Sequence, residues 1–600
     1  MKRGTFLLVP CLVAILFIAG CSHCKPYDDA AKGQVAVTAF VLHFEQRGID
    51  EGAVRAGLGA PWYDSLVGWP QVKGGAVFEY APLRTETFRT AEEAFDRAYE
   101  IQKNTKAWRV EPMFEMPPPI ERGNPLAEEK PAQEAQDDDD WSLKQIRASE
   151  AWARIRSTCV QGSPNCNEGL ESFGISIAHL DTGYTQHPEN WQSMQFMGGD
   201  VPVVDVARGR DYCDNEKDPK DKLANGLLDF PGHGTGSSSV IVSPGGCQLQ
   251  GVDKCVSGVG RGAQIVPLRV HTSVMVFNPR NLARAIQDIA DGKIAGSPQV
   301  VSIAMGGFPS VALERAVKSA EDNGVLVIAA SGNNIGIVVW PAQYPSVIAV
   351  AATNVHCQPW EFSSCGSAVA ISAPGESVWR AQLDKKHSWA FINSMSNGTT
   401  FATGHTAGAA ALWMVRHRDE FERLRQDKKQ YLITEAFRYA LKESSWRPGT
   451  GNPEGTYCTN AAWDGRYGPG ILDASGLLEV PLNFDQIERS KKEREESVQL
   501  PLFSTLYRAD VDKKRAMEKG QIERDYQSLF ESREKKRDVR LEEASRFETE
   551  IMYLYTMNVE FRQRVDSRVR GEKRDLAAPS VFESLPDKNL SATLRKYLAQ

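Results

Sequence analysis

The feature that most constrains the fold of this chain is a series of short, almost wholly apolar runs between residues 141 and 480. Helix-like patterns and glycine-rich turns separate each run from the next. Strands that are buried on both faces of a parallel sheet have this composition, because helices cover the sheet from both sides. The sequence therefore predicts an α/β domain over residues 141–480, built on a parallel sheet sandwiched by helices. The runs are ISIAHL, AQIVPLRV, QVVSIAMGG, GVLVIAA and SVIAVAA.

A smaller α+β domain is predicted ahead of it, over residues 33–118. A chain of 600 residues is too long for one compact core, so a division into domains is expected. Within this region Thr90 and Glu93 form a capping box before an amphipathic helix. Its strand-like stretches, rich in β-branched and apolar residues, are Val35–Phe44, Ala76–Ala81 and Trp108–Met116.

Residues 119–140 differ in composition from the regions on either side. They are rich in Pro, Glu, Gln and Asp and end in the aspartate run Asp137–Asp140. Such a segment lacks the apolar side chains whose burial would offset the entropy lost on ordering. We therefore expect an exposed linker, which is also a place where a protease would cut.

Residues 481–600 form a predicted charged helical region, dense in Glu, Lys and Arg and without cysteine. Towards its end, mainly apolar residues recur at alternating steps of three and four, as on one face of a helix. This stripe is shorter than the roughly three to four heptads that identify a coiled coil. A packed helical hairpin and an oligomerisation helix both fit it. Its members are Ala544, Phe547, Ile551, Leu554, Asn558, Phe561 and Val565.

Residues 1–20 have the pattern of an export signal. Lys2 and Arg3 precede the apolar run Phe6–Gly20, which is shorter than the ~20 residues of a spanning helix. The end of this run, IAGC, resembles a bacterial lipoprotein signal. That resemblance implies lipidation of Cys21, a tether over residues 21–32 and a place on the membrane surface of a bacterial cell envelope, facing the periplasm or the exterior. The alternative is an ordinary signal peptide with a chance cysteine.

The remaining cysteines agree with export. Eight of them lie between residues 159 and 458, and an even set in an exported chain favours disulfides. Closeness in sequence favours three short loops and leaves a fourth pair by elimination, with free buried thiols as the alternative for some. No cluster has convincing zinc-ligand spacing, so no metal site is predicted there. The favoured pairs are Cys159/Cys166, Cys247/Cys255, Cys357/Cys365 and Cys213/Cys458.

The charged residues bear on two kinds of partner, nucleic acid and calcium. A formal net charge of −7 over 600 residues gives no electrostatic reason to expect a nucleic acid partner. The acidic stretch DYCDNEKDPKD, residues 211–221, leaves a structural calcium site open, although acidity alone supports it. A solvated loop is the simpler interpretation, and no cofactor is predicted.

Four short motifs in the α/β region carry side chains suited to acyl transfer. Asp181 in AHLDTG and Asn333 in VIAASGNN each follow an apolar strand. His233 in PGHGTGSSSV and Thr400 in NGTTFATGHTAG each stand at an apparent helix start. Each motif alone is weak, since such residues also form turns and caps. Functional sites collect at the strand ends of parallel sheets. The combination of the four motifs and their order along the chain is therefore stronger evidence for one site than any single motif.

The order Asp, His, Asn and a hydroxyl residue resembles the subtilisin-like serine peptidases, the subtilases. The resemblance covers residues 141–480 and implies a subtilisin-like fold. It also implies that residues 33–118 are an inhibitory propeptide, a partner for the peptidase domain. The implied activity is hydrolysis of polypeptides in extended conformation through an acyl-enzyme.

Elementary chemistry gives each motif residue a role. An alcohol such as Thr400 is a poor nucleophile and needs a base to take its proton. Histidine exchanges protons most readily near neutral pH, so His233 would be that base, held by Asp181. Asn333 would stabilise the oxyanion with a backbone N–H near Thr400. We expect an apolar pocket for the residue before the cut, lined by Ser302, Ala304, Met305, Gly306, Ala330, Ser331 and Gly332.

The sequence departs from the subtilase pattern at two positions. Thr400 stands where the family has the nucleophilic serine, and Gly404 where it has proline. Threonine keeps a hydroxyl, but its extra methyl limits the side-chain rotamers and competes for space beside the acyl carbon. A misplacement of about 1 Å can lower the rate by ~10²-fold.

Two functions are compatible with this substitution. The retained Asp181, His233 and Asn333 favour a slow or specialised endopeptidase that uses Thr400. The alternative is a silent pseudoprotease, which would bind extended peptides in the old cleft and partners through its C-terminal helices. Cleavage of the linker would leave a lipid on the N-terminal part and release a soluble form that begins near Trp141.

Overall fold

The computed structural model describes most of the chain between residues 35 and 599. The predicted signal peptide, Cys21, the tether and linker residues 119–131 lie outside the described residues. The described ranges are 35–44, 49–58, 66–68, 76–80, 86–114, 132–196, 199–224, 229–246, 248–334, 337–449, 452–496, 545–558, 560–561, 564–565 and 590–599.

The N-terminal domain (residues 35–114) combines an antiparallel sheet with helices, which confirms the α+β prediction. Its longest strand, Val35–Phe44, pairs with three of the others. The helix Ala91–Thr105 begins at Thr90, whose hydroxyl accepts a hydrogen bond from the Glu93 N–H at 3.4 Å. The strands are Val35–Phe44, Leu66–Gly68, Ala76–Tyr80, Glu86–Phe88 and Arg109–Phe114, and the helices are Glu51–Leu58 and Ala91–Thr105.

The central domain (residues 132–496) is built on a parallel sheet of seven described strands, and all five predicted runs belong to it. Because every strand points the same way, the strand ends that lead to Asp181 and Asn333 meet at one edge. From one side of the sheet to the other the strands are Val369–Pro374, Val347–Thr353, Leu326–Ala330, Val300–Ile303, Ser176–Asp181, Gln264–Arg269 and Arg210–Asp211.

Helices cover both faces of this sheet, which explains why its strands are apolar throughout. Arg280–Ala290 and Val311–Asp322 pack on one face, and Ala148–Thr158, His233–Val242 and Thr399–Arg416 pack on the other. The further described helices of the domain are Gln133–Asp137, Trp141–Gln145, Arg418–Gln426, Ile433–Ser444, Ala474–Leu477 and Phe484–Glu496. Short strand pairs outside the sheet are Ser193–Phe196 with Gly199–Pro202, Met275–Val276 with Gly306–Gly307, and Val378–Asp384 with Ala390–Ser396.

Both ends of the central domain extend beyond the predicted range of 141–480. Residues 132–140, which were assigned to the exposed linker, pack on the domain instead. Ala135 is fully buried, and its carbonyl accepts a hydrogen bond from Trp379 Nε1 at 3.1 Å. At the other end, Ile487 of the helix Phe484–Glu496 is 1% exposed and joins the domain core. Lys491 of the same helix is also buried and pairs with Glu321 at 2.7 Å, so a few buried anchors order stretches whose composition is polar.

The predicted disulfide between Cys159 and Cys166 is present, with Cα atoms 5.6 Å apart. The pairs 357/365 and 213/458 are wrong. Cys357 is bonded to Cys458, with Cα atoms 4.9 Å apart, and Cys365 carries a free thiol. The fold makes this pair because the loop around Cys458 returns to the edge of the central domain, where the next residue donates its N–H to the carbonyl before Cys357 at 3.1 Å.

The other predicted pairings are only partly described. Cys213 and Cys255 are both disulfide-bonded. Cys247 lies outside the described residues, so the pair Cys247/Cys255 stays a prediction.

Two helices near the end of the chain, Glu548–Met557 and Ala592–Ala599, lie against both domains. We call them, with the described residues that flank them, the C-terminal elements. Five of the six described positions of the predicted stripe are each at most 5% exposed, and Asn558 is half-buried. The five are Phe547, Ile551, Leu554, Phe561 and Val565. The helix is shorter than the stripe, because Asn558 adopts an extended backbone after Met557.

The acidic stretch 211–221 is only partly solvated, because some of its charge is paired within the fold. Arg269, on the neighbouring strand, places Nη1 2.7 Å from Asp211 Oδ2 and 2.6 Å from Asp214 Oδ2, and Asp211 is fully buried. The guanidinium supplies the positive charge that a cation would bring. Among the described residues, no group of three His, Cys, Asp or Glu side chains could hold a metal ion. Nor is any helix of the described chain long and apolar enough to cross a membrane.

Candidate active site

The candidate site lies at the carboxyl ends of the sheet strands, where ligands bind in open parallel sheets. Asp181 is the last residue of its strand and is 1% exposed. The two strands beside it in one direction, Val300–Ile303 and Leu326–Ala330, end at the same edge. Their ends carry the segments that lead to Ala304 and Asn333.

His233 is brought to Asp181 by the first turn of the helix His233–Val242. The helix starts against the turn after Asp181, since a Cβ on Gly234 would lie 2.2 Å from the carbonyl oxygen of Gly183. His233 Nδ1 lies 2.8 Å from Asp181 Oδ1. An ionised carboxylate only accepts hydrogen bonds, so Nδ1 carries the proton and Nε2 is left as an acceptor.

Thr400 stands in the first turn of the helix Thr399–Arg416 and faces His233. Its Oγ1 lies 3.3 Å from His233 Nε2 and 3.2 Å from the carbonyl oxygen of Ala304. A hydroxyl has one proton, so it can donate to only one of these two acceptors at a time. The structure therefore brings Asp181, His233 and Thr400 together in the predicted order, with a second acceptor competing for the threonine proton.

The second oxygen of Asp181 is occupied by two residues that sequence analysis did not place in the site. Ser237 donates its hydroxyl to Asp181 Oδ2 at 3.1 Å, and His179 Nε2 lies 2.7 Å from that hydroxyl and 3.4 Å from the same oxygen. Both can be found from spacing, since His179 shares a strand face with Asp181 and Ser237 lies one helical turn after His233.

Burial and hydrogen bonding pull the acidity of this network in opposite directions. Burial alone would raise the pKa of Asp181, but the neighbouring His233, and His179 and the Thr182 N–H after it, leave that pKa below its ordinary value. Burial lowers the pKa of His179. Asp181 is therefore held as a carboxylate while His179 is neutral at physiological pH, so the pair carries one negative charge to stabilise a protonated His233.

Asp221 links the segment that carries Asp181 to the segment that carries His233. It is 6% exposed and accepts hydrogen bonds from the Thr182 hydroxyl at 2.8 Å and from the Gly232 N–H at 2.7 Å. Those residues directly follow Asp181 and precede His233. Burial raises the pKa of Asp221, although these bonds oppose the rise. No local pattern indicates this role, since Asp221 is one of several acidic residues in the stretch 211–221.

Asn333 is oriented by the residue before Thr400. Its Oδ1 accepts hydrogen bonds from the Thr399 N–H at 3.0 Å and from the Thr399 hydroxyl at 2.8 Å. The amide nitrogen is thereby turned the other way. A Cβ on Gly398 would lie 3.5 Å from both Asn333 Nδ2 and Thr400 Oγ1, so the missing side chain leaves open space in front of both atoms.

The residues predicted to line a substrate pocket lie on two segments, 302–306 and 330–332, which follow neighbouring strands. Their side chains are largely committed elsewhere. Ser302 is fully buried within its strand, and Met305 is 2% exposed and packs in the apolar core. The Ser331 hydroxyl donates to a backbone carbonyl at 2.9 Å. These segments therefore offer mainly backbone to a ligand.

Val339, which sequence analysis did not single out, fills the gap between the two segments. A Cβ on Gly306 would lie 2.4 Å from Val339 Cγ2, and one on Gly332 would lie 3.0 Å from Val339 Cγ1. The Val339 N–H donates to the Ser331 carbonyl at 2.9 Å, and the residue is 4% exposed. One isopropyl group thus lies between the two segments.

Comparison with known proteins agrees with this arrangement. The sequence model of the subtilase family matches residues 172–470. The chain is 31% identical to subtilisin BL from Lederbergia lenta over 258 residues, which cover 42% of this chain and 81% of that protein. This chain belongs to the subtilase family.

Other likenesses of this subtilase are more partial. It is 28% identical to the alkaline protease of Alkalihalobacillus alcalophilus over 277 residues, which is 46% of this chain and 62% of that relative. The match thus spans less than two thirds of that relative's own length. Among solved structures, fervidolysin from Fervidobacterium pennivorans, a keratinolytic enzyme related to subtilisin, aligns with a TM-score of 0.48 and 19% identity, covering 78% of this chain and 64% of that one.

Proposed function

We propose that this subtilase is an endopeptidase that forms an acyl-enzyme on Thr400. The observation that carries the proposal is the 3.3 Å contact between Thr400 Oγ1 and His233 Nε2, with His233 in turn bonded to Asp181. A chain of nucleophile, base and orienting carboxylate is the arrangement that activates an alcohol for attack on a carbonyl.

The mechanism follows from the positions of these groups. As Thr400 Oγ1 bonds to the scissile carbonyl carbon, His233 Nε2 takes its proton and Asp181 stabilises the imidazolium. The carbonyl oxygen becomes an oxyanion and is stabilised by Asn333 Nδ2. When the C–N bond breaks, His233 returns the proton to the leaving amine. Water then attacks the ester with His233 again as base, which regenerates Thr400.

The extra methyl of Thr400 makes this enzyme slow. It restricts the rotamer that points the hydroxyl at His233 and occupies space beside the acyl carbon. The carbonyl of Ala304, 3.2 Å from the hydroxyl, competes for the same proton. We expect a rate about 10–10²-fold below that of a serine at the same position, since small misplacements of a nucleophile have effects of this size.

The substrates we propose are extended polypeptides with a small residue before the cut. Val339 supports the size limit, because it fills the gap between Gly306 and Gly332. The N-terminal domain would act as the propeptide and Cys21 as the lipid anchor at the bacterial envelope. These two assignments rest on the resemblances in the sequence.

The competing function is a peptide-binding pseudoprotease. The observation in its favour is the hydrogen bond from Thr400 to the Ala304 carbonyl, which would hold the hydroxyl away from His233. Such a protein would bind extended peptides through the same cleft without cleaving them.

Intact-mass analysis of the exported protein decides between the two. Wild type, His233→Ala and Thr400→Ser are purified in parallel and examined for a cut between residues 114 and 132. Cleavage in wild type that is absent in His233→Ala supports catalysis by Thr400. Cleavage in Thr400→Ser alone overturns the proposal in favour of the pseudoprotease, because the scaffold then works and the threonine does not.

A further inference from the structure

The N-terminal domain contacts two parts of the chain. Its Glu111 is buried against the central domain, where the carboxylate accepts hydrogen bonds from the N–H groups of Val311 at 2.7 Å and Ala312 at 3.4 Å. These are the first residues of the helix Val311–Asp322, so Glu111 caps that helix from another domain. This contact alone would form an interface between two domains.

The C-terminal elements form a second interface with the same domain. Tyr553 lies in the apolar core of the N-terminal domain, with its ring centroid 5.3 Å from that of Phe95 and 5.5 Å from that of Phe114. It also lies 5.8 Å from the ring of Phe308 in the central domain. A single side chain near the end of the chain therefore joins the N-terminal and central domains.

Polar groups fix the orientation of this second interface. Asp96, on the helix Ala91–Thr105, accepts hydrogen bonds from the Ala592 and Thr593 N–H groups, both at 2.9 Å. The N-terminal domain thus caps the last described helix together with Ser591, whose hydroxyl accepts the Leu594 N–H at 3.0 Å. One turn along the same helix, the Tyr99 hydroxyl donates to Glu550 at 2.8 Å.

A buried ion pair links the two interfaces. Arg109 of the N-terminal domain pairs with Glu548 of the C-terminal elements, and the two side chains are 6% and 8% exposed. Arg109 and Glu111 are alternate residues of one strand, so they point to the same face of the sheet. The C-terminal elements therefore bind beside the contact with the central domain and cover its edge.

We propose that the C-terminal elements are a clamp that retains the N-terminal domain on the central domain after the chain between residues 114 and 132 is cut. While one of the two interfaces is formed, it holds the groups of the other at a high effective concentration, so an interface that opens closes again. Loss of the covalent link therefore does not release the domain. The N-terminal domain then becomes a stable non-covalent subunit instead of a discarded fragment.

The clamp changes what cleavage achieves. The sequence alone predicts that a cut in the linker frees a soluble form beginning near Trp141. With the clamp closed, the two fragments stay associated after the cut. A lipid on Cys21 would then keep the central domain at the membrane. Release of the N-terminal domain then depends on opening the C-terminal elements and not on proteolysis alone.

The test uses the full chain with Thr400→Ala, so that its outcome is independent of the proposed catalysis. A recognition sequence for a site-specific protease is inserted between Gly123 and Asn124, and complete cutting is verified on a denaturing gel. Native size-exclusion chromatography then follows the N-terminal fragment over time. We expect the fragment to co-elute with the remainder of the chain for hours.

Two variants and a matched control assign this retention to the clamp. Glu548→Gln removes a carboxylate from beside buried Arg109, and Asp96→Asn weakens the cap on the last helix. Glu560→Gln makes the same chemical change as the first in the exposed pair with Arg564, which is worth little. We expect release to be at least about 10-fold faster for the first two and unchanged for the control.

Each outcome bears on the proposal. If the wild-type fragment separates as fast as it does in Glu548→Gln, the clamp is wrong. It is equally wrong if wild type, Glu548→Gln and Asp96→Asn all retain the fragment at one rate, because the contact with the central domain then suffices. Uncut Glu548→Gln that melts at the wild-type temperature excludes misfolding as the cause of release, and Asp96→Asn provides an independent perturbation.

Discussion

Thr399 donates two hydrogen bonds to one side-chain oxygen of Asn333, from its N–H at 3.0 Å and from its hydroxyl at 2.8 Å. An amide whose oxygen is held in this way must present its nitrogen on the opposite side. That nitrogen is the donor we propose for the oxyanion. Thr399 therefore acts as a positioning residue for the group that would stabilise the charge.

This relationship predicts a selective loss in Thr399→Val. The variant keeps the side-chain shape and the N–H bond but removes the hydroxyl, which donates to Asn333 and accepts the Gly332 N–H at 3.2 Å. Each such bond is worth about 1 kcal/mol. We expect kcat on a peptide substrate to fall roughly 5-fold with KM little changed, because orientation is lost and binding is not. Thr406→Val is the control, since that buried hydroxyl only donates to the carbonyl of Ala402 at 2.9 Å. Equal losses in both variants would contradict the assignment.

Val339 predicts which substrates are rejected. Val339→Ala removes two methyl groups from between Gly306 and Gly332. The kcat/KM for peptides with leucine before the cut should therefore rise relative to that for peptides with alanine. We expect the ratio of kcat/KM values to shift by about 10-fold or more, as for other changes of pocket volume. The measurement is made in wild type and in Thr400→Ser, so that slow chemistry does not hide specificity. Val338→Ala, which changes a neighbouring core valine, should leave the ratio unchanged.

Asp221 predicts a loss of activity from a residue that touches no substrate. In either orientation of Asp221→Asn the amide NH₂ meets a donor. It faces the N–H of Leu223, or it faces the Gly232 N–H and the Thr182 hydroxyl, where a carboxylate oxygen now accepts. The start of the helix at His233 would shift, and we expect kcat to fall about 10-fold or more while KM changes little. Asp218→Asn, an exposed change in the same stretch, is the comparison. Normal kcat in Asp221→Asn would refute the positioning role.

Glu550 predicts that the clamp weakens as pH rises. Burial raises the pKa of Glu550 to about 7, although hydrogen bonds from Ser591 and Tyr99 oppose the rise. A carboxyl with a raised pKa in the docked state binds its proton more tightly there, so docking is strongest at acid pH. The stability of the docked state falls as the pH rises from the ordinary pKa of a glutamate towards 7, and it falls no further well above pH 7. Asp96, which also faces Glu550, adds negative charge in the same direction.

The measurement is the release rate of the cut N-terminal domain at pH 5.5 and 8.5. We expect about 10-fold faster release at the higher pH in wild type and a much smaller ratio in Glu550→Gln, which cannot ionise. A pH ratio that is the same in both proteins would show that another group controls the dependence.

Local patterns in the sequence were sufficient for the architecture and for the candidate site. Apolar runs predict buried parallel strands because helices cover both faces of such a strand, so every residue in it is buried. This holds whichever side chains the helices contribute. The four motifs predict a meeting point because parallel strands place all their carboxyl ends at one edge. Asp181, His233, Asn333 and Thr400 were therefore identifiable without any knowledge of distances.

Other features were decided by tertiary structure alone. Cys357 bonds Cys458 across 101 residues instead of nearby Cys365, because the return of a distant loop and not sequence separation sets which sulfur atoms meet. Val339 packs between two glycines, and Asp221 supports the candidate site through hydrogen bonds to two loops. The stripe of the C-terminal elements is buried against the two other domains, which no pattern in the sequence indicated. The sequence by itself determined which side chains stand at the strand ends; only the folded chain decided which remote groups surround them, because contacts between distant residues leave no periodicity along the chain.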